Sequence, residues 1–137
     1  MITVTVEGIV YRINKLDAFA QLNIARKLAP VSIMIERMMV EENKGKDSTF
    51  LILLMLGQLS DEESEKLMRK CIQAVAREED HGKRYAPLCA PSGQLMYEDI
   101  SMKALIDLTA HVITSNLGDF FLTALQRLEA VPQPPSS

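Results

Sequence analysis

MKALIDLTAHVITSNLGDFFLTALQRL, residues 102–128, is the longest periodic stretch of the chain, and its reading decides the fold. Met102, Leu105, Ile106, Val112, Ile113, Leu117, Phe120, Phe121, Ala124, Leu125 and Leu128 keep a three-four rhythm over roughly seven helical turns. Ser101 stands where an N-cap belongs, because its hydroxyl can take up a free N–H of the first turn. Gly118 weakens such a helix by about 1 kcal/mol relative to alanine. A kink or a close helix–helix approach would offset that cost. Beyond the helix, residues 131–137 (VPQPPSS) are too rich in proline to continue it and read as a flexible tail.

Working back, residues 60–72 show a second well-signalled helix start. Ser60 with Glu63 forms a capping box, and Asp61, Glu62 and Glu63 complement the positive end of the helix. Glu62–Lys66 and Glu65–Arg69 are i,i+4 pairs, and Leu67, Cys71, Ala74 and Val75 make the inner stripe. Glu78, Glu79 and Asp80 suit a helix C-terminus badly, so fraying is expected there. Residues 48–57 read as a short apolar helix capped by Asp47 or Ser48. Asp17 caps a helix over residues 17–28, and Pro30 suits the first turn of another that runs to about residue 42. At the start of the chain, Ile2, Val4 and Val6, then Ile9, Tyr11 and Ile13, alternate with period two around Glu7-Gly8, which predicts a β-hairpin. Residues 81–100, divided by Pro87 and Pro91-Ser92-Gly93, read as a loop or a weak second hairpin. The expectation is a mainly α fold. Residues 1–130 form one helical domain of about five helices with a small N-terminal hairpin that lids the core, and a tail follows.

Composition narrows the function classes. The chain has 137 residues, a net charge of −3, and 24% charged residues without a dense Lys/Arg run, which disfavours nucleic-acid binding. Residues 50–56 are its most apolar run, far short of the roughly 20 residues a membrane span needs, so no membrane association is expected. Two cysteines fit a reducing compartment. His81 lies in a polar stretch and His111 beside the apolar stripe of the last helix, where a single hydrogen bond would satisfy it. Cys71, His81 and Cys89 lack metal-ligand spacing, and Gly45-Lys46 lacks the rest of a phosphate loop. No cofactor, metal or enzymatic reaction is expected.

Binding signals are stronger. Eight methionines are present, and Met34, Met38 and Met39 fall in one helical stretch. Methionine fills irregular cores, and it also serves surfaces that accept varied apolar partners. Residues 31–40 are apolar on more than one face, Ile33 and Val40 lying opposite Ile35 and Met38. A comparable excess surrounds Phe120 and Phe121. The expected partner-binding residues are therefore Val31, Met34, Ile35, Met38, Met39, Phe120 and Phe121.

The chain resembles the tail assembly chaperones of long-tailed bacteriophages. The resemblance rests on Tyr11-Arg12-Ile13-Asn14-Lys15-Leu16 in the hairpin, Ala25-Arg26-Lys27-Leu28-Ala29-Pro30 at the end of the first helix, and Ser115-Asn116-Leu117-Gly118-Asp119-Phe120-Phe121. It extends over about residues 2–128, with no family feature in residues 80–97. It implies a protein that binds the helix-rich tape measure protein in the host cytoplasm and recruits the tail tube protein. Such a protein leaves before the virion matures. In family members made in two forms by frameshifting the longer carries an extra C-terminal domain, and the resemblance implies the Pro-rich tail as the junction to such a domain. Self-association, through the hairpin edge or surplus helical surface, is expected as well. A secretion-type chaperone or adaptor is the first rival. A helical DNA-binding regulator is the second, its nearest basic residues being Lys66, Arg69 and Lys70, interleaved with acids.

Overall fold

Ile2–Val6 (β1) and Ile9–Ile13 (β2) pair antiparallel from Val6↔Ile9 to Ile2↔Ile13 without a bulge. Glu7 and Gly8 both take positive φ, 51° and 78°, as a two-residue turn matched to strand twist requires. In this computed structural model, which describes residues 2–33, 35 and 48–130, the hairpin is half of a larger sheet. Val75–Glu79 (β3) pairs with β2, and Arg84–Pro87 (β4) pairs with β3, giving an antiparallel sheet in the order β1-β2-β3-β4.

This corrects the expectation of a mainly α fold with a small hairpin: the protein is a mixed α/β fold. The helix over Ser60's capping box stops at Ile72, and Val75, read as part of its inner stripe, opens a strand. The reason is pairing. Arg12 and Asn14 turn their backbone groups away from β1, and Asn14 N–H donates to Ala74 O at 2.8 Å. A lone hairpin is marginal in water, so a segment that satisfies those groups outweighs three more residues of weak helix. Residues 81–100 supply β4, and an isolated bridge joins Cys89 to Leu95.

Four α-helices lie among the described residues: Ala18–Leu28 (α1), Ser48–Leu56 (α2), Asp61–Ile72 (α3) and Met102–Ala130 (α4). Their starts follow the sequence signals. Asp17 accepts from Ala20 N–H at 2.8 Å, Ser60 from Glu63 N–H at 3.1 Å, and Ser101 from Ala104 N–H at 3.0 Å. The helix expected over residues 30–42 begins with a 3-10 turn, Ala29–Val31, and its remainder lies largely outside the described residues. So does the tail at 131–137.

The core lies between one face of the sheet and α4. Tyr11, Ile13 and Val75 share one buried cluster with α4 residues such as Leu108, Val112 and Ile113. Helices α2 and α3 pack on other flanks of α4. Asp107 accepts from the Thr49 hydroxyl, which ties α2 to α4. Buried Thr109 donates its hydroxyl back to Leu105 O at 2.7 Å, so it leaves no unpaired polar atom in the interior.

Asn116 holds the opposite end. Its Oδ1 accepts from Leu16 N–H at 2.7 Å and from Gln21 Nε2 at 3.2 Å. Its Nδ2 donates to Val112 O at 3.0 Å and, more loosely, to Asn14 O at 3.4 Å. One side chain thus fixes the β2–α1 connection on α4. Asn116→Ala would leave the N–H of Leu16 without its partner, at a cost of about 1–3 kcal/mol. Urea unfolding should show that loss with an unchanged m-value, whereas a loss under about 0.3 kcal/mol would show the clamp to be dispensable.

Candidate interaction surface

Helix α2 carries two opposed apolar triplets. Ile52, Met55 and Leu56 are spaced i, i+3, i+4 and are buried. Phe50, Leu53 and Leu54 repeat that spacing two residues earlier, which turns them about 200° around the axis. They face outward, with Phe50 61% exposed, Leu53 44% and Leu54 39%. An apolar helix with one face packed on α4 and the other exposed has more apolar surface than the described residues cover. Phe19 and Leu22 on α1 are also exposed, as is Ile33.

The residues expected from sequence to bind a partner fall in different places. Phe120 is 58% exposed on α4, and its ring meets that of Phe121 edge to face at 5.3 Å between centroids. Phe121 and Ile35 are buried in the core, and Val31 is half-buried against it. Met34, Met38 and Met39 lie outside the described residues. The structure does not bring these residues together into one described groove. The exposed triplet of α2 was missed because the whole run from Phe50 to Leu56 reads as core. Splitting it into two triplets at helical spacing would have revealed it.

A second apolar feature is a cleft of about 290 Å³ between α3 and the segment that follows β4. Met68, Ile72, Cys89, Leu95 and Leu105 line it, with Asp61, Glu65 and Arg69 on its rim. Arg69 shapes that rim: it donates to Gly93 O at 2.7 Å and to Glu65 at 2.8 Å.

Burial pushes the Cys71 thiol up to about 12 and also raises that of Cys89, so both are poor nucleophiles. Tyr97 is raised by burial and by its hydrogen bond to Glu79. Asp99 is held below the usual carboxylate range chiefly by its hydrogen bond from Arg77, whose guanidinium also lies over the Tyr97 ring at 4.5 Å. Together these groups staple residues 97–99 to β3. Among the described residues no group of His, Cys, Asp or Glu side chains could hold a metal ion, and no helix is long and apolar enough to cross a membrane.

A family model described as "Phage tail assembly chaperone protein, TAC" matches residues 7–129. No curated protein and no solved structure matches the chain.

His111 provides a handle on α4 beneath these surfaces. Partial burial lowers its pKa, and the charge of Asp107 one turn away offsets part of that. The unfolded chain therefore binds the proton more readily. The stabilising contribution is fully present above the ordinary value of 6.5 and is lost as pH falls through the lowered folded value. Denaturant midpoints should drop between pH 7.5 and 5.5 in the native sequence and less steeply in His111→Gln; parallel pH profiles would contradict this.

Proposed function

This chain belongs to the phage tail assembly chaperone family, and from that membership we propose that it holds the apolar helices of the tape measure protein during tail assembly. The observation that supports this reading is the outward triplet Phe50, Leu53 and Leu54 on a helix whose other face is already buried. Covering three half-exposed side chains of this size would contribute roughly 2–4 kcal/mol, enough for a reversible grip when neighbouring contacts add to it. A chaperone that must later let go needs that order of strength rather than an obligate interface.

The partner in this reading is an amphipathic helix that lays its apolar stripe along α2. Phe120 on α4 would contribute, and Met34, Met38 and Met39, expected from sequence to bind, belong to the same proposal for their adaptable side chains. Recruitment of the tail tube protein, action in the host cytoplasm and absence from the mature virion belong to the same proposal. The chemistry in this reading is recognition without catalysis.

Co-expression with the tape measure protein of the same phage tests the surface. Phe50→Glu with Leu54→Glu should reduce co-purification at least about tenfold while the circular dichroism spectrum stays native, because both side chains already face water. Met34→Glu with Met38→Glu should act in the same direction. Undiminished co-purification by the folded Phe50/Leu54 variant would remove α2 from the binding surface.

A further inference from the structure

The two edges of the sheet are built differently. In a two-residue hairpin Val6 and Ile9 exchange backbone hydrogen bonds, so Ile2, Val4 and Val6 turn their N–H and C=O groups toward β2. Thr3 and Thr5 therefore turn theirs away from the sheet. Asn14 N–H on Ala74 O and Leu88 N–H on Val75 O carry the same alternation across β3 to β4. On β4 the outward positions are Tyr85 and Pro87, and Pro87 has no N–H to offer. Arg84 adds a charge to that edge. Edge β4 is thus blunted in the usual way, while β1 has no charge, no proline and no bulge over Ile2–Val6.

We propose that β1 is the interface between two copies of this chain, which pair antiparallel across a two-fold axis at Val4 to form one continuous sheet. The outward groups select the register. Within Ile2–Val6 only Thr3 and Thr5 are outward, and outward residues bond only to outward residues, so in a pairing confined to this strand Thr3 and Thr5 meet Thr3 or Thr5 of the second copy. Pairing Thr3 with Thr3, or Thr5 with Thr5, forms a single bonded pair. Pairing Thr3 with Thr5 of the second copy, and Thr5 with its Thr3, forms two bonded pairs and satisfies every outward donor and acceptor of both strands.

That same register matches the faces. Ile2, which is 42% exposed although its neighbour Ile13 is buried, comes to lie opposite Val6 of the second copy. The apolar face of the sheet then continues across the axis, with the exposed threonines together on the other face. Five consecutive β-branched residues suit a central strand better than an edge. The inference rests on this strand alone and stands apart from the proposed grip on the tape measure protein.

Thr3→Pro tests it selectively, because the lost N–H points away from β2 and the hairpin ladder is untouched. By analytical ultracentrifugation the full chain should sediment as a dimer, and the Thr3→Pro variant should dissociate at least about tenfold more readily with a native circular dichroism spectrum. Should that variant fail to fold, Val4→Cys decides. Its Cα atoms would face each other at about 4.5 Å across the axis, within disulfide reach, so mild oxidation should give a species of twice 15.3 kDa on a non-reducing gel. The native sequence, with Cys71 and Cys89 buried, should not cross-link. A chain that stays monomeric at roughly millimolar concentration, or a dimer that survives Thr3→Pro and leaves Val4→Cys uncross-linked, would overturn the proposal. So would a monomer whose β1 edge takes up a strand of another protein.

Discussion

Helix α4 has to be covered on several sides at once, and the rest of the architecture answers to that demand. Its buried residues, among them Ala104, Leu108, Val112, Ile113, Leu117 and Phe121, span far more than the narrow stripe of a surface helix. No single element can shield so wide an arc. The sheet covers one part through Tyr11 and Ile13, while α2 and α3 cover others. Asn116 converts contact into orientation, because its three hydrogen bonds to Asn14, Leu16 and Gln21 leave the β2–α1 connection one place to sit. Apolar burial supplies the driving force, and a few directed polar contacts make the arrangement unique.

The sheet depends on this helix and in turn extends what the helix can organise. Two strands alone would barely hold in water, but with β3 and β4 added the paired backbone and the apolar face become large enough to pack. Side chains reinforce the new strands. Arg12 lies over the Tyr85 ring at 4.3 Å, and Arg77 pairs with Asp99 at 2.9 Å. Because Asp99 and the Arg84–Asp80 pair are well exposed, these charges order the segment around β4 more than they stabilise it.

Membership in a chaperone family and the distribution of apolar surface point in one direction. In the proposed reading, a protein that grips apolar helices must keep some apolar surface in water without aggregating. Here that surface is divided among separate patches, and the blunted β4 edge limits sheet growth on one side. The α3 face stays polar, with exposed pairs Glu62–Lys66 and Glu65–Arg69 of little energetic weight that keep it hydrated. Under that proposal, affinity would come from fit to a guest rather than from indiscriminate stickiness.

Local signals were legible where the chain acts on itself at short range. Asp17, Ser60 and Ser101 announce their helices because a cap is a bond spanning three residues, and Glu7-Gly8 announces its hairpin because the turn needs positive φ. The seven-residue run Phe50 to Leu56 announces a helix but not its two faces, since burial depends on what lies opposite. Val75–Glu79 could not be read as a strand: it lacks period-two apolarity, and Val75 keeps helical step with Leu67 and Cys71. What the sequence determined by itself was the caps, the first turn and the long central helix, all products of interactions within a few residues. Whether residues 75–87 became helix, loop or sheet was decided only by tertiary structure, because the open backbone groups of Arg12 and Asn14, some sixty residues away in the chain, were waiting to be paired.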